Sequence, residues 1–188
     1  MRRDYLFESE YPFLRQTRHK VFISYYHKGD EYYRNRFEEL FGHLFINKSV
    51  EPGDIDTDDS AEYVKRLIQE DYITDASVLV VLVGSKTYCR KHVDWETSAA
   101  LNEKVGGYSG VVGLLLPTYP SYEENKYNPN TIPPRLNDNI KSEYAKLYRW
   151  TTDVDKIKRW VEEAFHARIV KADKIKNSRL QFDYNGCE

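Results

Sequence analysis

The chain alternates between short runs that are apolar throughout and longer stretches in which apolar residues recur every three or four positions. A strand covered on both faces is apolar throughout, whereas a helix packed on a sheet is apolar along one stripe. The first run spans residues 19–25, with Val21, Phe22 and Ile23 at its centre and His27-Lys28-Gly29-Asp30 as its polar exit. From Asp30 onward, Tyr33, Phe37, Leu40, Phe41 and Leu44 share one helical face. A shorter second strand is expected over 45–50, closed by the turn Glu51-Pro52-Gly53-Asp54. Asp59 or Ser60 then caps a helix, with Glu62 in a capping-box position and Val64, Leu67 and Ile68 as its stripe.

Residues 78–83 are an unbroken aliphatic strand. The next helix starts near Lys91 or His92 and runs past Leu101 until Gly106-Gly107 stops it. A fourth strand covers 111–116 and ends at Pro117. Residues 118–146 read as a loop-rich excursion broken by Pro120, Pro129, Pro133 and Pro134, with a short fifth strand over 147–150 beyond it. Thr152 caps a last helix whose positions Val154, Ile157, Val161, Ala164 and Phe165 keep one face. Strict alternation of strand and helix predicts an α/β domain with a doubly wound parallel sheet of four to five strands. The expected organisation is an N-terminal arm over 1–18, one domain over 19–170 and a polar tail over 171–188.

Composition narrows the function. At 188 residues the chain suits one domain with an appendage. A formal net charge of −2, with acids and bases interspersed, supplies no basic stripe for a phosphate backbone, so nucleic acid is not an expected partner. No apolar stretch approaches a membrane span or the core of a signal peptide, which predicts a cytoplasmic protein with no membrane partner. Two cysteines, Cys89 and Cys187, support neither a disulfide framework nor a thiolate metal cluster. The acidic run from Asp54 begins like a calcium loop but has Asp59 where Gly is needed and Lys65 where the bidentate Glu belongs, so no metal is expected. Cys89 and His92 lack the third group that would orient a nucleophilic dyad.

The chemistry is expected between Gly84 and Glu96. Open parallel sheets bind ligands beyond the carboxyl ends of their strands, and the aliphatic strand delivers its polar loop and then Glu96 there. Taken alone, Glu96 also reads as a solvated glutamate complementing a helix N-terminus.

Phe22-Ile23-Ser24-Tyr25 after a basic residue, Pro52-Gly53-Asp54-Ile55 in the loop after strand two, and Val83-Gly84-Ser85-Lys86-Thr87-Tyr88 followed by Glu96 together resemble the TIR domain pattern. The nearest resemblance is to the TIR-like branch of the bacterial Thoeris antiphage defence system, and it covers about 20–116. It implies a flavodoxin-like fold and an enzyme that cleaves NAD between nicotinamide and ribose, releasing a cyclic or modified ADP-ribose messenger that activates an effector. The family's catalytic glutamate falls on Glu96, and the matching pocket positions are Ser24, Tyr25, Tyr26, Asp54, Ile55, Ser85 and Trp95. The usual pattern has Trp-Cys ahead of that glutamate, where this chain has His92-Val93. NAD enters as substrate and no cofactor is implied; a phage-derived trigger and homo-oligomerisation are the further expected partnerships.

One carboxylate suffices for this reaction. Nicotinamide leaves a pyridinium as a neutral base and needs no proton, unlike the leaving group of most glycosides. Two other classes compete: a non-catalytic TIR adaptor working by homotypic assembly, and a receiver-like phosphorylation switch. The switch needs acids where this chain has Ser24-Tyr25 and Gly84-Ser85.

Overall fold

All six residues of β3 (Val78–Val83) are buried, and the rest of the fold is arranged around that strand. The computed structural model describes residues 18–49, 73–124 and 126–187. Within them, β1 (Lys20–Ser24), β2 (Ile46–Asn47), β3, β4 (Gly110–Leu115) and β5 (Lys146–Arg149) form one sheet in the order β2-β1-β3-β4-β5. Every pairing is parallel. This is the flavodoxin-like order, with its topological switch between β1 and β3.

The two-residue period of β3 separates two cores. Val78, Val80 and Leu82 join Val21, Ile23, Val112 and Leu114 on one face, beneath α1 (His27–Phe41) and the last helix, α4 (Val154–Val170). Leu79, Val81 and Val83 join Phe22, Val111 and Leu115 on the other, beneath α2 (Lys91–Ala100) and α3 (Pro134–Lys141). Gly110 is required for the close seat of α4, because a Cβ there would collide with the Ala164 carbonyl.

Several boundaries differ from expectation. The helix α1 starts at His27, with the Gly29 and Asp30 amides donating to the Tyr26 carbonyl, and its buried face includes Asp30 and Arg34 as well as Phe37 and Phe41. The second strand is only two residues long, and Phe45 is core rather than strand. The helix α2 ends at Ala100 rather than beyond Leu101; Lys104 folds back onto the Ile73 and Ala76 carbonyls, and the left-handed Gly106 and Gly107 lie in the following loop. Asp153, not Thr152, caps α4 by accepting from the Lys156 amide.

The region 118–146 is less loop-like than expected. It holds the whole of α3, whose Pro134 stands inside the first turn, where proline's missing N–H costs nothing. Residues 171–188 are the larger correction. Far from trailing free, 176–187 lies across α2 and α3, and Cys187 is bonded to Cys89 with their Cα atoms 5.7 Å apart. The arm 1–17, the turn and helix expected over 51–68, and the acidic run from Asp54 fall outside the described residues. Among those described, no helix is long and apolar enough to cross a membrane, and no group of three or more acids, histidines or cysteines is placed to hold a metal.

Candidate active site

Ser24 is the last residue of β1, on the same side of the sheet as Phe22, which turns it toward α2. Glu96 sits in the second turn of that helix. The Ser24 hydroxyl donates to Glu96 Oε2 over 2.5 Å, and both residues are buried, at 0% and 6% exposure. The pair therefore occupies the β1/β3 switch point at the carboxyl edge of the sheet, where α/β folds of this type bind ligands.

Glu96 is not a solvated helix-end glutamate. Burial pushes its pKa up to about 8, against the lowering effect of the Ser24 hydrogen bond. At pH 7 the acid is mostly protonated. Desolvation dominates because the Ser24 hydroxyl supplies one hydrogen bond where water would supply several.

The exit loops of β1 and β3 meet at the mouth. Tyr25 is buried and stacks on the His27 ring at 4.3 Å, while the Arg90 guanidinium lies 3.9 Å over the ring of Tyr26. One turn before Glu96, His92 has its pKa lowered to about 4 by burial, with the Lys91 and His27 charges adding to the effect. Burial likewise lowers the pKa of His27, so both imidazoles are neutral at neutral pH.

Asp30, in the first turn of α1, is a second buried acid that pattern reading did not single out. Thr118 donates to its Oδ1 over 2.8 Å and Thr87 to its Oδ2 over 3.2 Å, while Thr87 Oγ1 accepts from the Gly84 amide. Its pKa is raised by burial, and the two hydroxyls oppose that shift. Asp30 thus pins together the loops after β3 and β4. Gly84 is the local signal for it, because a Cβ there would collide with the Asp30 carboxylate.

The structure brings Ser24, Tyr25, Tyr26 and Glu96 to this edge. Ser85 is exposed on the loop after β3. Trp95 points the other way: it is 3% exposed, and its indole N–H donates to the Phe182 carbonyl, so it packs beneath 176–187 and does not join Ser24 and Glu96. Asp54 and Ile55 lie outside the described residues. A groove of about 920 Å³ on the opposite face, lined by Tyr148, Trp160 and Glu163 among others, includes none of the residues expected at the site.

A parallel sheet in flavodoxin-like order with a buried acid at its switch point defines the class: an α/β domain whose site is built on the exits of β1 and β3. The chain belongs to the family described as Thoeris protein ThsB, TIR-like domain, whose model matches residues 22–121, just over half of its length. That span contains Ser24, Glu96 and every other expected pocket position. Among solved structures, the chain is similar to the TIR domains of the activated Roq1 resistosome directly recognizing the pathogen effector XopQ, at 16% identity and a TM-score of 0.38. The similarity covers 81% of this chain and 84% of that one. Comparison with curated proteins finds no match.

Proposed function

We propose that this chain cleaves the bond between nicotinamide and ribose in NAD and releases a cyclic or otherwise modified ADP-ribose that signals to an effector in antiphage defence. The observation that carries the reading is the buried Ser24–Glu96 pair at the switch point of a Thoeris TIR-like domain. The neutral resting acid of about pKa 8 fits the charge changes of that reaction. A pyridinium entering the site lowers the pKa of Glu96, because a nearby cation favours the charged form, and the carboxyl proton passes to solvent. The carboxylate then faces the positive charge that develops on the ribose as nicotinamide departs with the bonding electron pair. When a hydroxyl captures the ribosyl cation, its proton passes to Glu96 and restores the neutral acid. A group with a pKa near the working pH suits that exchange.

The test is mass spectrometry of small nucleotides from phage-infected cells carrying the wild-type chain or Glu96→Gln. NAD loss and a new ADP-ribose derivative are expected with the wild type alone. Identical profiles with defence intact in both cells would sink the enzyme reading. They would promote the second one, a non-catalytic adaptor acting by homotypic or sensor–effector assembly. One observation favours that alternative: Glu96 is only 6% exposed, so a ligand reaches it only if the mouth opens.

A further inference from the structure

Residues 176–187 make a continuous set of bonds to one stripe of α2. Lys91, Asp94, Trp95 and Ser98 are spaced three and four apart, which places them on one side of the helix. Glu96 is about 100° around the axis from Trp95 and about 200° from Asp94, so the segment grips the helix away from the acid. Each contact is specific. The Asn185 side chain accepts from the Lys91 amide over 3.1 Å, supplying a cap to a helix whose own N-cap residue, Arg90, provides none. The Phe182 amide donates to Asp94 Oδ2, the Phe182 carbonyl accepts from Trp95, and Asn177 Nδ2 donates to the Ser98 carbonyl.

Arg135 of α3 is the hub. It is 1% exposed, and its Nε donates to Asp94 Oδ1 over 2.9 Å while Nη2 reaches Asp94 Oδ2. Its remaining N–H groups donate to Asn177 Oδ1 and to the carbonyls of Asn177, Arg179 and Leu180. Without 176–187, a buried guanidinium would keep the Asp94 carboxylate and lose its other acceptors.

We infer that residues 176–187 are a strap that fixes the axial position and rotation of α2, and that Arg135 and Asn185 are positioning residues for Glu96 acting through it. The catalytic meaning of this inference rests on the proposed NAD chemistry; its structural content does not. The strap crosses the outer face of the helix whose inner face holds the acid against Ser24. Loosening it lets α2 shift and admits water beside Glu96.

The test compares three full-length variants and one shortened chain by amide hydrogen exchange and by NMR titration of the Glu96 carboxyl. The variants are Asn185→Ala, Asn185→Asp and Arg135→Lys, and the shortened chain ends after Ile175. With the Cys89–Cys187 bond reduced in every sample, removing the strap is expected to speed exchange in 93–100 by on the order of tenfold or more while β3 and β4 keep the protection of the reduced wild-type chain. The Glu96 midpoint should fall toward the ordinary carboxylate range. Asn185→Ala should produce a smaller change of the same kind that Asn185→Asp, which keeps an acceptor oxygen, reverses. Arg135→Lys should resemble the shortened chain, since an ammonium cannot hold the same set of acceptors. Where NAD turnover is measurable, kcat should fall by up to about 100-fold with KM nearly unchanged, the signature of a misplaced group. Wild-type exchange and titration in all variants would overturn the strap, as would equal loss of protection in α2, β3 and β4. A wild-type protein that passes these structural readouts yet consumes no NAD in infected cells would overturn the proposed function alone.

Discussion

Ser24 Oγ donates to Glu96 Oε2 inside the fold, so the hydroxyl at the end of β1 is what partly offsets burial of the acid on α2. Ser24→Ala removes the one favourable contribution to the charged form. The Glu96 pKa should then rise above about 8, and any activity that needs the carboxylate should move its acidic limb to higher pH. A pH–rate profile, or carbon NMR of the Glu96 carboxyl, measures the shift. An unchanged midpoint would show that the hydroxyl does not hold the acid.

Glu96 also makes stability depend on pH. Its folded pKa of about 8 lies above its ordinary value of 4.5, so the folded chain binds the extra proton across that window. Stability from this group is full below about pH 4.5 and is lost as pH rises through 8. Glu96→Gln, which stays neutral, should therefore unfold at higher temperature than wild type at pH 8 and match it closely at pH 4. A gain of about 1 kcal/mol corresponds to about 2–4 °C in a chain of this length. Thermal melts at the two pH values decide it.

The Asp94–Arg135 pair should be costly to break from either side, both side chains being 1% exposed. Arg135→Met leaves a buried carboxylate facing a thioether and should destabilise the chain by about 3–5 kcal/mol. Urea denaturation measures this, and a loss under about 1 kcal/mol would mean that water replaces the guanidinium freely.

Gly84 and Asp30 should be energetically coupled. Gly84→Ala places a methyl group against the Asp30 carboxylate and should cost about 1–3 kcal/mol, and much less when Asp30→Ala has already cleared the space. A double-mutant cycle reads the coupling. Simple additivity of the two changes would remove the steric account.

The bond between Cys89 and Cys187 spans 98 positions of sequence. Alkylation of the unfolded, unreduced chain should add no mass, and prior reduction should allow two additions. In the chain-entropy view a loop of that size stabilises by about 4–5 kcal/mol, so reductant should also lower the melting temperature.

What could be read from sequence follows from how each element meets its neighbours. The strand β3 was legible because burial on both faces leaves an unbroken aliphatic signature, and the place of Ser24 and Glu96 at the sheet edge because one ends a strand and the other lies on the helix that follows β3. The helix α3 was hidden by its own polarity. Arg135, Asn137 and Asn139 read as surface residues yet are buried, because Arg135 and Asn139 spend their polar groups on the strap. The strap has no hydrophobic period, since main-chain carbonyls, asparagine side chains, the Arg179–Asp138 ion pair and the Cys89–Cys187 bond hold it in place, and such contacts leave no periodic pattern in a sequence. The same reason hid the burial of Glu96, because polar spacing alone cannot distinguish a solvated acid from one sealed against a hydroxyl.

The cap that Asn185 places on α2 has a consequence for the order in which the protein is made. Lys91 leaves the ribosome 94 positions ahead of the side chain that secures its amide. At about 5–20 residues per second, the helix bearing the acid waits on the order of 5–20 s for its brace. Until synthesis reaches Asn185, the Lys91 amide lacks the acceptor that secures the start of the helix bearing Glu96.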